Sequence, residues 1–309
     1  MTQSVFVAGH NGLVGSAIVR RLSLESDLDV IVVDRADLDL RAEEKVIGFL
    51  SAVKPDAVIV AAGLVGGIRS NDSLPVNFIS ENSAIALSVI SASFKSNISK
   101  LMYLSSNCIY PRDAIPPHKT MMIGSAPMEP TNEWYGFAKL LGMKLCEAYR
   151  KQHGMNYFSV IPTNTFGPND STKLGDGHVM SDLIMKCLEI GNSDSPRKKL
   201  ELWGSGSPIR EFLFVDDLAD AIIFLLKNYD RSETVNIGGG TRLTIKGLAT
   251  AVVEQIDPSI EVIFDSTSPD GAPARFLDNS ILDEMGWRPS TPFNVGLSRT
   301  IDWYRSNVG

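Results

Sequence analysis

Short apolar runs alternate with amphipathic stretches through the first half of the chain. Residues 4–8 form a β-branched and apolar run that ends in GHNGLVG and leads into the helical pattern SAIVRRLSLES. A second run, 30–33, ends at Asp34 and Arg35; a third, 57–62, ends in AAG; a fourth, 101–105, enters SSNCIYP. Helical periodicity lies between them, around 41–53 and 78–96, and again from Tyr135, before a further run at 157–162. Short continuous apolar runs suit strands buried on both faces, and connections long enough for a helix suit parallel neighbours. The alternation predicts an α/β fold, a doubly wound parallel sheet with helices on both faces.

Beyond Gly167 the alternation fails. Gly, Pro, Asp and Ser cluster at 168–177 and again at 191–197, with one helical stretch, 179–188, between them. REFLFV, the amphipathic stretch 217–227 and VNIGGG then resume the α/β rhythm. The pattern predicts one domain over 1–165, to which 211–238 returns, and a smaller, interleaved α/β domain made mainly of 166–309.

Gly9, Gly12 and Gly15 follow the first strand and open the first helix, so backbone amides and the positive helix end can face a pyrophosphate without side-chain obstruction. This makes the first domain a Rossmann-type NAD(P)-binding unit, with Asn11, Leu13 and Val14 in the same turn. Asp34, at the end of the second strand, suits the ribose hydroxyls of NAD and repels a 2′-phosphate, whereas Arg35 beside it suits that phosphate. The residues alone leave NADP and NAD both open.

Composition narrows the picture further. The chain has 309 residues, 44% of them hydrophobic, enough for a large core and a second lobe. A net charge of −7 without a basic run argues against a nucleic-acid surface, although a local basic pocket for a diphosphate is compatible with it. Three widely spaced cysteines, with no Cys-x-x-Cys pair and no zinc-like spacing, fit a reducing cytoplasm and no metal. No apolar run approaches the ~20 residues of a membrane span, and the apolar start is too short for a signal peptide.

Tyr135 and Lys139 share one helix face at i and i+4, which brings an ammonium near a phenol and favours the phenolate. With Ser106 after the fourth strand, these are the residue types that move a hydride to or from a carbinol carbon. Tyr exchanges the hydroxyl proton, Ser hydrogen-bonds the carbonyl oxygen, and Lys lowers the Tyr pKa and can hold the nicotinamide ribose.

VFVAGHNGLVGSAI, AAGLVGGI, NCIYP, EPTNEWYGFAKLLGMKLCEAY, VIPTNTFGPND, GHV, LWGSGSPIREFLFVDDLADA, NIGGG, SPDG and GWRP together resemble the extended short-chain dehydrogenase/reductases, within them the GDP-sugar epimerase/reductases. The resemblance runs through almost the whole chain. CIYP, PTNTFGPND and WGSGSPIREF are more specific than a nucleotide-binding loop. It implies a homodimer and a smaller domain that takes a GDP-sugar. The activity it implies is bifunctional: 3,5-epimerisation and NAD(P)H-dependent 4-reduction of GDP-4-keto-6-deoxy-D-mannose to GDP-L-fucose. Its catalytic residues fall on Ser106, Tyr135 and Lys139, and its epimerisation pair on Cys108, as base, and His178, as acid. Pro162, Asn164 and His178 join the cofactor set, and Asn164, Lys186, Trp203, Arg210 and Arg275 line the nucleotide-sugar pocket.

Departures from the pattern bear on the cofactor and the pocket. Asn11 stands where some members carry arginine, and Asp34 where an acid is uncommon. Both weaken the family's usual NADP(H) assignment and keep NAD(H) open. Arg275 stands where the family often has lysine, and Asn107 where others have Ser or Thr. The alternatives are a related GDP-sugar enzyme with another product, such as GDP-colitose or a modified heptose, and a non-catalytic nucleotide-binding scaffold.

Overall fold

The structure, a computed structural model, describes residues 2–172, 177–268 and 270–308. Residues 173–176 of the polar stretch 168–177, and Pro269 of SPDG, lie outside the described residues.

The first half of the chain runs β1 (Gln3–Ala8), α1 (Leu13–Leu22), β2 (Leu28–Ile31), α2 (Glu43–Val53), β3 (Ala57–Val60), α3 (Ile68–Ser73), α4 (Pro75–Lys95), β4 (Lys100–Leu104), α5 (Glu133–His153) and β5 (Asn156–Pro162). Side chains alternate across each strand, and both faces are covered. Val5 and Val7 of β1 enter one core with Ile59, Met102 and Val160, while Phe6 and Ala8 enter the opposite core with Val58, Val60, Leu101 and Tyr103. That two-sided burial is why these strands read as unbroken apolar runs. The helices carry ordinary stop signals: α5 ends on Gly154 at φ 70, with Arg150, Lys151 and His153 in its last turn.

The second half runs β6 (Asn164–Phe166), α6 (Val179–Gly191), β7 (Lys199–Trp203), β8 (Ile209–Phe214), α7 (Val215–Asn228), β9 (Val235–Ile237), β10 (Thr241–Thr244), α8 (Ile245–Ile256), β11 (Glu261–Asp265), β12 (Ala274–Arg275), α9 (Ser280–Glu284) and α10 (Phe293–Asn307). The large sheet has the order β2-β1-β3-β4-β5-β9 and is parallel throughout. Its strand order reverses between β1 and β3, and in such sheets ligands bind outside the carboxyl ends at that point. A smaller sheet has the order β10-β8-β12, with β6 also paired to β8, and β7 pairs β11 separately. A third core, with Leu183, Ile184, Leu200, Phe212, Val252 and Ile301, fills this lobe.

The segment 211–238 divides between the lobes. Its helix α7 packs on α1, with Leu218, Ile222 and Leu225 in the first core, and β9 extends the large sheet beside β5. Strand β8 stays in the small sheet, because β6, β10 and β12 satisfy its backbone there. No helix among the described residues is long and apolar enough to cross a membrane.

Helix α5 lies close on β4. A Cβ at Gly142 would stand 2.2 Å from the Tyr103 ring, which is 1% exposed and has no room to retreat. Gly142→Ala gains about 1 kcal/mol of helix propensity and costs about 1–3 kcal/mol of overpacking. The expected outcome is a net loss of stability, read as a lower urea midpoint. A midpoint equal to or above that of the parent would contradict the tight contact.

Candidate active site

The turn between β1 and α1 is built from glycines with separate jobs. Gly9 has φ +90, and a Cβ there would lie 2.5 Å from the Ala62 Cα; one at Gly15 would lie 2.0 Å from the Gly9 carbonyl oxygen. Those two are required by packing. Gly12 is different, since a Cβ would meet only the Gly9 oxygen at 3.8 Å. It caps α1 without a side-chain hydrogen bond, and the first turn has no acidic residue. The first amides of α1, including those of Leu13 and Val14, therefore face open space at a positive helix end. A dinucleotide pyrophosphate fits this cradle.

Asp34 is drawn into the same turn. The Asn11 amide donates to its carboxylate at 3.0 Å, and the His10 imidazole lies 3.4 Å from the same oxygen. Arg35, 76% exposed, stands 3.6 Å from Glu81, which also faces Arg41. Two guanidiniums, Arg35 and Arg41, thus face Glu81, while Asp34 is engaged by Asn11 and His10.

Strand β4 delivers Ser106, and α5 delivers Tyr135 and Lys139. The Ser105 hydroxyl donates to the Lys139 carbonyl at 3.2 Å, tying strand end to helix. Ser106 Oγ accepts the Cys108 amide at 3.2 Å, which leaves the hydroxyl proton to be donated elsewhere. Lys139 is 4% exposed, and its ammonium donates to the Leu104 carbonyl at 3.0 Å. It sits 5.7 Å from the Tyr135 ring centroid. Burial pulls Lys139 down to about 8. Burial also pushes the Tyr135 phenol up, helped by nearby Cys108 and only partly opposed by Ser106. The phenolate expected from the i, i+4 spacing is therefore disfavoured here: the phenol keeps its proton, and the lysine is held by a carbonyl.

Cys108 lies in the short turn after β4. Its thiol donates to Asn107 Oδ1 at 3.8 Å, and the Asn132 amide donates to its sulfur at 3.3 Å. Burial raises the thiol's pKa, while Ser106, Arg275 and Lys139 oppose that rise. His178, just before α6, pairs through Nδ1 with Asp170 at 3.5 Å; the acid is only 7% exposed. The protein around His178 disfavours its charge, but Asp170, with Asp182, outweighs this and raises its pKa above the ordinary histidine value. The thiol and the imidazole thus have different partners, a hydrogen-bonded turn and a buried carboxylate.

Arg210 and Arg275 occupy paired positions on β8 and β12. Arg210 donates to the Ile209 and Ala272 carbonyls, and burial with the Arg275 charge pulls it down to about 10. Arg275 is 11% exposed, its Nη2 is buried without a hydrogen-bond partner, and Glu129 is 3.9 Å away. Two adjacent guanidiniums that repel one another make a site for a diphosphate. Asn164, on β6, donates to the Glu211 carbonyl at 2.9 Å, and Pro162 ends β5 opposite Ile237. Lys186 is partly exposed on α6, and Trp203, 69% exposed, lies under Arg69 at 5.0 Å.

Asn132, Asp170 and Glu211 escaped the sequence reading. Glu211 is fully buried, and its carboxylate accepts the Gly239 and Leu277 amides, both at 3.1 Å, which locks the strand bearing Arg210 to the segments around it. The three stand in PTN, GPND and REF, segments that carry the resemblance but whose acids and amides have no chemical spacing of their own.

The sequence model of the NAD dependent epimerase/dehydratase family matches residues 5–238. GDP-L-fucose synthase from Sinorhizobium fredii (strain NBRC 101917 / NGR234) is 46% identical over 304 residues, covering 98% of this chain and 96% of that protein. GDP-L-fucose synthase 1 from Arabidopsis thaliana is 44% identical, over 98% of this chain and 94% of its own length. Among solved structures, the GDP-mannoheptose C4 reductase MlghC from Campylobacter jejuni, with NADP bound, superposes with a TM-score of 0.88 at 29% identity over 98% of both chains.

Proposed function

The chain belongs to the NAD dependent epimerase/dehydratase family, and on that basis we propose that it converts GDP-4-keto-6-deoxy-D-mannose to GDP-L-fucose, epimerising carbons 3 and 5 and reducing carbon 4 with NADP(H). One observation carries the double activity: the Cys108 sulfur sits in the cluster formed by Ser106, Tyr135 and Lys139. A 4-reductase needs a proton donor at the ketone oxygen. It has no use for a thiol beside that donor, whereas an epimerase requires a base there.

Ser106 and Tyr135 hydrogen-bond the ketone oxygen and draw charge toward it, which makes the hydrogens on carbons 3 and 5 acidic. Cys108, after releasing its own proton to solvent, takes a proton from one face as a thiolate, becoming a thiol again and leaving an enolate. His178, whose pKa Asp170 raises above the ordinary histidine value, returns a proton to the other face. NADPH, when bound, supplies the hydride that reaches carbon 4. Tyr135 gives its phenolic proton to the oxygen, and Lys139 steadies the phenolate that remains. Arg210 and Arg275 take the diphosphate, with Asn164, Lys186 and Trp203 along the nucleotide sugar.

The α1 turn, with Gly9, Gly12 and Gly15, takes the pyrophosphate of the cofactor, and Arg35 takes its 2′-phosphate, while Asn11 and His10 turn Asp34 aside. The domain division follows: 1–165, with α7 and β9, for the cofactor, and most of 166–309 for the GDP-sugar. We further assign a homodimer through α4 and α5, whose Leu87, Trp134 and Phe137 are large apolar side chains left exposed. Three free cysteines suit the cytoplasm.

The test is incubation with GDP-4-keto-6-deoxy-D-mannose and either NADPH or NADH, following absorbance and then identifying the sugar by NMR. GDP-L-fucose is the expected product, formed faster with NADPH, which should also bind more tightly by fluorescence titration. A 4-reduced sugar that keeps the D-configuration would remove the epimerase, and equal or tighter NADH binding would remove the role of Arg35.

A further inference from the structure

Asn132 occupies the N-cap position of α5, a place where asparagine normally accepts a hydrogen bond from the first turn. It makes no side-chain capping bond. Instead its Nδ2 donates to Cys108 Sγ at 3.3 Å, and its Oδ1 is buried without a partner. Both features cost stability, and side chains that break local rules in this way concentrate where function demands them. The helix start is also pressed onto the Cys108 turn. A Cβ at Gly136 would stand 2.8 Å from Met128 Sδ and 3.2 Å from the Cys108 carbonyl oxygen.

We propose that Asn132 is a positioning residue for epimerisation: its amide donates to Cys108 and holds the sulfur as a proton acceptor aimed at the sugar. The inference rests on the reading of Cys108 as the epimerisation base. An amide N–H stabilises a thiolate without being able to protonate it. When the thiolate has taken a proton from carbon 3 or carbon 5, the new S–H can turn to Asn107 Oδ1, 3.8 Å away. For the thiolate the sulfur thus has the Asn132 amide beside the Ser106 hydroxyl, and for the thiol it has Asn107. The charged and titratable groups that also face it are Arg275 from β12, Glu129 from the segment before α5, and Tyr135 and Lys139 of α5. None of these donates a hydrogen bond to it as Asn132 does.

The test uses the full chain and two variants, Asn132→Ala and Asn132→Asp. Alkylation of Cys108 by iodoacetamide is followed against pH by peptide mass; Cys146 and Cys187 are 0% exposed and give little background. The midpoint is expected to rise by about one unit in Asn132→Ala and further in Asn132→Asp, whose carboxylate repels the thiolate. Solvent deuterium entry at carbons 3 and 5 should fall about tenfold or more, while NADPH-dependent reduction of the ketone changes by less than about threefold. An unmoved alkylation midpoint in both variants overturns the proposal, as does an equal fall in exchange and reduction. Should Asn132→Ala melt early, Asn132→Asp keeps the side-chain shape and decides the matter. If the parent protein neither exchanges nor reduces this sugar, the proposed function fails, yet the alkylation profile still tests Asn132.

Discussion

Tyr135→Phe is expected to slow reduction of the 4-ketone about 1,000-fold, with cofactor and GDP-sugar affinities within a factor of about two. The substitution deletes one oxygen and leaves the ring, which packs edge-on against Phe78 at 6.2 Å between centroids. What disappears is the proton that the forming alkoxide must receive. Burial keeps the phenol protonated, so it is loaded for donation at neutral pH without prior activation. Lys139 matters after the proton has left, when its charge offsets that of the phenolate. Its pKa is lowered from 10.5 to about 8, so the amine becomes neutral as pH rises past that value. The reduction rate should fall there, well below the pH at which an exposed lysine would titrate. Single-turnover rates from about pH 6 to about pH 10, a span that brackets both the lowered and the ordinary lysine titration, check both statements. A Tyr135→Phe variant within about tenfold of the parent would remove Tyr135 as the donor.

Cys108→Ser should abolish inversion at carbons 3 and 5, with deuterium entry reduced by at least about 100-fold, while some reduction survives. Serine fits the space but has an alcohol far weaker in acidity than a thiol, even one whose pKa burial has raised, so almost none is present as a base. The ketone is still polarised by Ser106 and Tyr135, and the product shifts to a 4-reduced sugar that keeps its D-configuration. NMR of that product is the decisive measurement. Full-rate formation of the L-sugar by the serine variant would remove Cys108 from the mechanism.

The large-sheet half of the fold was readable because its strands are buried on both faces. Val5 to Ala8 and Val58 to Val60 each meet apolar neighbours above and below, so sequence and structure carry the same run. The smaller lobe hides its strands. In β7, Lys199 and Glu201 alternate with Leu200, and β12 has two residues, too few for any period. Helix α8 does carry a buried stripe of Leu248, Ala249, Val252 and Val253, a helical signal that the sequence reading passed over. At the site, spacing pointed to Tyr135 and Lys139 but could not give their protonation, because burial is a property of the assembled fold. Asn132 shows its role only in its contact with the Cys108 sulfur, and Asp170 only in its pairing with His178.

The chain leaves the large sheet after β5, returns between β8 and α7, and departs again after β9. No single cut separates the large-sheet lobe from the smaller one. Recombination at one junction would strand part of a core, because α7 and β9 belong to the first core while the segments before and after them build the other. A change in either lobe is therefore felt by the scaffold that both share.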